Sequence, residues 1–165
     1  MPANVGDDGN LIRAIGLMTI HAAHAEDVLD QCLGIASAVH GWKRLGGTRI
    51  SVSCRRNHLE KFVKRFPADV DAVKWVWSFL RRLKLCMCQR NRITHSLISY
   101  DPRSGSDKIQ EREGERVLST ITSAELYTLV NDLRDCHRAG LLAKNEIAYR
   151  WPEASVPYER IRPNP

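Results

Sequence analysis

The sequence predicts an all-α protein: an up-and-down four-helix bundle with a small β-hairpin or loop insertion before the last helix. Three observations predict it. Apolar residues recur at spacings of three and four along the long stretches, the period of a helix that buries one face. Most connections between those stretches are short, which favours an up-and-down arrangement. Between Ser96 and Ile121 the pattern gives way to β-branched and turn-forming residues, and a helix-start signal follows directly.

The first element is a helix from Asn10 to about His40. Leu11, Ile15, Met18, Ala22, Ala25, Leu29, Cys32, Ala36 and Val39 mark its apolar stripe, with Asn10 able to cap it and Gly41 able to end it. Trp42 to Thr48, with Gly46-Gly47, reads as a loop. A shorter helix runs from Ser51 or Ser53 to Phe66 and stops at Pro67. A third begins near Ala68 and Asp69 and carries Val70, Val73, Trp77, Leu80, Leu83 and Met87 on one side. Ser96–Tyr100 is strand-like, and the turn signal D-P-R-S-G follows at 101 to 105. Lys108–Arg112 and Arg116–Thr120 flank Gly114 and form the predicted hairpin. Thr122-Ser-Ala-Glu125 is a capping box that opens a last helix through about Ala148, with Gly140 as a weak point inside it.

The 165 residues suit one helical domain, 1–150, followed by a tail, 151–165, whose four prolines suit an extended or disordered segment. There is no internal repeat and no low-complexity tract. No apolar run has membrane-spanning length, and the polar N-terminus is unlike a secretory leader, so the expected location is cytoplasmic, without membrane contact. Five cysteines, an odd number, suit free core thiols rather than disulfides. Cys86 and Cys88 make a C-x-C, but residues two apart on a helix diverge, and no second ligand pair follows at zinc spacing. His21-x-x-His24 is better read as structural or surface than as metal-binding. Trp75 and Trp77 fall on different helix faces, and Ser96 and Ser99 have no triad around them. No metal or cofactor is expected.

The net charge is +6 and the pI about 9.3, which favours an anionic partner. From Ala72 to Tyr100 there is no Asp or Glu, while Lys74, Arg81, Arg82, Lys84, Arg90 and Arg92 all fall inside that span. A second basic cluster, Arg49, Arg55, Arg56, Lys61, Lys64 and Arg65, faces only Glu60 and reads as a solvated surface.

The third helix ends in R-N-R-I-T-H, residues 90 to 95. Asn91 and His95 are four apart and share a face with Cys88, Lys84 and Arg81, with Arg92 beside that line. Arg90 lies about 140° around the helix from His95. Its side chain must swing across, or the helix must bend, or Arg90 acts from a neighbouring chain. The set suits a phosphodiester. Histidine exchanges protons near neutral pH, arginine grips two phosphate oxygens, and the asparagine amide orients either. RNA supplies its own nucleophile, the 2′-hydroxyl. A histidine and an arginine at a helix end can also simply interact with the last carbonyls.

R-N-R-I-T-H resembles the R-x(4–6)-H signature of HEPN-domain proteins, in the form R-N-x-x-x-H, and the layout agrees over residues 10 to 149. The resemblance implies a homodimer in which two copies of the motif share one cleft. It also implies a metal-independent endoribonuclease of the toxin or defence type. On that pattern Arg90, Asn91 and His95 form the catalytic set, and Glu26 on the first helix fits the acidic residue many members carry, against an ordinary interhelical salt bridge. Arg81, Lys84 and Arg92 would bind RNA phosphates, and a separate antitoxin protein would be a further partner. Some members are inactive, so an RNA-, nucleotide- or antitoxin-binding module is the alternative. A plain helical dimerisation protein is the third reading.

Overall fold

The computed structural model describes residues 8–40, 50–66, 70–101, 106–113 and 116–152. Helix α1 spans Asp8–His40, α2 Val52–Val63, α3 Asp71–Thr94 and α4 Ser123–Arg150. Between α3 and α4 come three strands, β1 (Leu97–Asp101), β2 (Ser106–Glu113) and β3 (Arg116–Ile121). The architecture is the predicted four-helix bundle with a β insertion before the last helix.

The chain is already helical at Asp8, so Asn10 lies in the first turn rather than at the cap. The expected stop signals Gly41 and Pro67 lie outside the described residues. Helix α2 is capped by Ser51, whose Oγ accepts the Cys54 N–H at 3.2 Å. Helix α4 opens on the predicted capping box. Thr122 N–H donates to Glu125 Oε2 at 2.7 Å, and Glu125 N–H donates to Thr122 Oγ1 at 3.2 Å. The Thr122 N–H, and after it the Thr122 hydroxyl donating to Glu125 Oε2 at 2.9 Å, hold the Glu125 carboxyl below its usual range.

The insertion goes one strand beyond the predicted hairpin. β2 pairs with β3 and also with β1, giving a three-stranded antiparallel sheet in the order β1-β2-β3. The register slips between Glu111 and Arg112, a bulge that locally bends the strand. Ile109 and Ile121 are directly opposed across β2 and β3, and both are buried with Ile93 from the end of α3, so the sheet closes one end of the core.

Three cross-contacts fix the helix directions. His24 meets His137, Val28 meets Gly140, and Lys144 lies near Cys32, so α1 and α4 run side by side in the same direction. Phe79 meets Gly140 and Cys86 meets Cys136, so α3 runs against α4. Strict alternation would have opposed α1 and α4. The difference arises before α2, where Arg55 is level with Glu26 and Asp30 in mid-α1, while Phe62 reaches Trp151 beyond α4. Eleven residues separate His40 from Val52. At about 3.3 Å per extended residue, that is enough chain to return along the bundle.

The core contains the expected stripe residues and several others, among them Phe79, Val28 and Val76. Cys32, Cys86 and Cys136 are buried and Cys88 is exposed, as divergence along a helix requires. Burial pushes the Cys32 thiol up to about 12. Trp151, the first residue of the proline-rich tail, packs at a tilt on Phe66 and edge-to-face on Phe62, with ring centroids 4.7 and 5.5 Å apart. The rest of that tail past Pro152 lies outside the described residues.

Gly140 has a packing role. A Cβ there would sit 2.8 Å from both Phe79 Cε2 and Val28 Cγ1, so α4 approaches α1 and α3 more closely than any side chain permits. Gly140→Ala gains helix propensity but overpacks the core, and a net loss of about 1–2 kcal/mol is expected. A lower urea midpoint with unchanged slope would confirm it, whereas a raised midpoint would contradict it.

Candidate functional site

The site begins with the arginine pair of α2. Val52, Arg55, Leu59 and Phe62 fall at spacings of three and four, so Arg55 occupies a position where the helix turns inward. It is buried, 7% exposed, the one buried charged residue among those described. Its Nη2 donates to Glu26 Oε2 and its Nη1 to Asp30 Oδ2, each at 2.6 Å. Burial disfavours its charge, but the two carboxylates outweigh that and hold the guanidinium above its ordinary pKa. The solvated-surface reading therefore fails at Arg55. Glu26 is engaged by Arg55 of α2, and among the described residues no hydrogen bond or ion pair joins it to Arg90, Asn91 or His95.

Arg56 is roughly 100° further around α2. It points toward α3, where a groove of about 470 Å³ opens between the start of α2 and the lower half of α3. Arg56, Lys84, Arg90 and Asn91 supply its polar wall and Leu83 and Met87 its apolar floor; among the described residues no carboxylate lines it. Arg56 is partly occupied: its Nε lies 3.5 Å from Glu60 Oε1 without a hydrogen bond, and its Nη2 donates to Asn57 Oδ1 at 3.1 Å.

The half-buried Arg90 swings across to the neighbouring asparagine, Nη1 donating to Asn91 Oδ1 at 3.2 Å. That bond holds Arg90 beside Asn91; among the described residues no bond carries it round to His95. Lys84, Cys88, Asn91 and His95 fall within a sector of roughly 60° on a regular helix, so His95 continues the groove wall one turn further.

His95 is the C-cap of α3, with its backbone N–H on the Asn91 carbonyl at 3.0 Å. Two hydroxyls add bonds at this end, one to the Asn91 carbonyl already in use and one to the freed Arg92 carbonyl. Thr94 Oγ1 donates to Asn91 O at 3.1 Å and Ser96 Oγ to Arg92 O at 2.7 Å. The imidazole is thus exposed and not used for capping.

The predicted basic stripe divides. Lys84 lines the groove. Arg81 is exposed and outside it. Arg92 faces the other way, into a cavity of about 260 Å³ shared with Gln89 and Glu125, and its Nε lies 3.8 Å from Glu111 on β2. Sequence reasoning missed Arg56 and the serines at the start of α2. The available signal was an arginine on the apolar stripe of α2, matched by the i, i+4 acidic pair Glu26 and Asp30, which orients the next residue outward.

His21 and His24 are joined by His137 of α4, with ring centroids 6.0 Å apart for His21–His24 and 5.4 Å for His24–His137. Among the described residues no three His, Cys, Asp or Glu side chains are grouped to hold a metal. No described helix is long and apolar enough to cross a membrane. No family model matches the sequence, and neither a curated protein nor a solved structure matches it.

Removing Arg55 leaves two carboxylates without their partner, partly open to water. Arg55→Ala should therefore cost roughly 2–3 kcal/mol, measured by urea unfolding. A change under about 0.5 kcal/mol, the scale of an ordinary surface substitution, would show that the pair is not structural.

The histidines add a pH dependence. Burial, then the neighbouring imidazoles, lower the pKa of His21 and His137; Arg134 acts likewise on His21, and Asp27 opposes the shift at His137. With folded values below the unfolded 6.5, their contribution is full above about pH 6.5 and is lost as pH falls through the folded values. The melting temperature should decline below about pH 6.5, and His21→Gln with His137→Gln should flatten that decline. Parallel profiles for the two proteins would contradict the assignment.

Proposed function

We propose that this chain is a HEPN-like, metal-independent endoribonuclease of the toxin or defence type. It acts in the cytoplasm as a homodimer with a composite active site. The observation that carries the reading is the wall of α3. Arg90 and Asn91, hydrogen-bonded to each other, line a groove free of described carboxylates, and the exposed imidazole of His95 follows on the same face. A wall without carboxylates favours a polyanion, because no fixed negative charge opposes the phosphate.

The chemistry follows from those groups. The His95 imidazole takes the proton of an RNA 2′-hydroxyl, and the 2′-oxygen attacks the adjacent phosphorus. Negative charge grows on the non-bridging oxygens, where the Arg90 guanidinium meets it with paired N–H donors. The bond from phosphorus to the 5′-oxygen breaks, that oxygen takes a proton from solvent, and His95 returns to solvent the one it holds. The products are a 2′,3′-cyclic phosphate and a 5′-hydroxyl. Asn91 holds the guanidinium through its Oδ1, and Lys84 adds attraction for the strand.

One observation favours a second reading, an inactive module that binds RNA, a nucleotide or an antitoxin. Among the described residues Arg90 bonds to Asn91, and no bond joins it to His95 of the same chain. A second copy removes the difficulty if Arg90 of one subunit acts with His95 of the other.

Purified protein should cleave RNA in EDTA and leave cyclic-phosphate ends, and His95→Ala should lower the rate by at least about a hundredfold. Mixed and re-equilibrated Arg90→Ala and His95→Ala subunits should recover about a quarter of wild-type activity, because half of the dimers then hold one intact composite site of two. Cleavage that needs a divalent metal or survives His95→Ala rules out the enzyme reading. Salt-sensitive binding without turnover favours the module.

A further inference from the structure

We propose that the groove between α2 and α3 is a binding site for one nucleotide of the RNA strand, and that Arg56 of α2 is its phosphate contact. The proposal rests on the ribonuclease reading only for the class of ligand. Arg90 and Asn91 of the R-N-x-x-x-H motif line the groove, but Arg56 comes from a different helix and lies outside that motif.

The groove is lined by two chemical kinds of residue. Three are cations drawn from two helices: Arg56 from α2, and Lys84 and Arg90 from α3. Glu60, whose Oε1 lies 3.5 Å from Arg56 Nε, offsets only part of that charge. Val52, Leu83 and Met87 are apolar. A nucleotide has the same division, an anionic phosphate joined to a flat, largely apolar ring. The groove holds about 470 Å³. Clefts that take small molecules are of this order, and a single nucleotide is a ligand of that class. A longer strand would have to continue outside the groove, past Asn91 toward His95. The bound phosphate therefore neighbours the bond that His95 would act on.

The local structure suits the task. Arg56 cannot turn inward, because Arg55 beside it is tied to Glu26 and Asp30. Its side chain is largely enclosed, with 16% exposed. Less conformational freedom therefore remains to be lost when a phosphate arrives. Among the described residues its Nη1 has no hydrogen-bond partner, so donor capacity remains. The Leu83 and Met87 floor can hold a base without reading its edge, and the methionine adapts to different rings. Occupancy should therefore depend strongly on the phosphate and weakly on base identity.

The test uses the full-length His95→Ala protein, so that turnover does not intervene, and titrates it calorimetrically with uridine and adenosine 3′-monophosphates, with the corresponding nucleosides and with inorganic phosphate. Both nucleotides should bind more tightly than the nucleoside or the phosphate alone. Arg56→Gln and Lys84→Gln should each weaken nucleotide binding by about tenfold or more, the scale of a lost charge-assisted hydrogen bond. Unchanged melting temperatures in these two variants would show that the loss is local. Nucleotide affinity insensitive to both substitutions overturns the proposal, as does a wild-type protein that cleaves RNA while its His95→Ala form binds neither nucleotide. Binding that depends on Arg56 in a protein that cleaves no RNA supports the groove and removes the ribonuclease reading, so the two failures are distinct.

Discussion

The charge bridge from Arg55 to Glu26 and Asp30 is the constraint on which the groove depends. A guanidinium inside a helical protein is costly unless its charge is met by well-placed acceptors. Here two carboxylates on successive turns of α1 meet two of its nitrogens, so α2 has one favourable rotation about its axis. That rotation sends the next residue, Arg56, toward α3 and opens the space between the two helices. Turning α2 so that Cys54 took the place of Arg55 would expose Arg55 and leave both carboxylates unpaired. Glu26 thus acts on the site from a distance, through the placement of α2.

A second constraint is the packing of α4, at the level of the same stretch of α1. Gly140 lets α4 approach Phe79 and Val28 closely, and the three-stranded sheet seals the end where α3 stops. Because Ser96 satisfies the loose carbonyls of Arg92 and Ile93, through its hydroxyl and its backbone N–H, the helix can end in a histidine without employing its ring. The capping chemistry and the candidate chemistry are thereby separated: small hydroxyls terminate the helix, and the imidazole remains in solvent. The sheet also draws Arg92 toward Glu111. A surface ion pair of this kind contributes little to stability, but it shows that the basic residues of α3 serve two separate surfaces.

Much of this was legible in the chain. The stripe of α1, the capping box of α4 and the strand-like run after α3 are local signals, and each is found where its residues put it. The face shared by Asn91 and His95 follows from helical spacing alone. Other features depended on neighbours. Gly140 read as a weakness because propensity counts only the cost in an isolated helix, whereas its benefit lies in two helices that sequence position does not identify. Glu26 had two readings of equal weight, since an exposed-edge carboxylate carries no local sign of its partner. The third strand was visible as β-branched residues, but its pairing with β2 needed a register that only the folded sheet supplies.

By itself the sequence determined the secondary structure, the basic and carboxylate-poor character of α3, and the succession Arg90, Asn91, His95 along it. These are properties of spacing and composition within one element, and a helix or strand expresses them wherever it lies. The tertiary structure decided that α1 and α4 run in the same direction, that Arg55 faces inward while Arg56 faces out, and that Arg92 leaves the stripe that Lys84 keeps. Those outcomes turn on which helix a given face meets. That choice is made by the joint packing of the core and the pairing of buried charge, which no single segment contains.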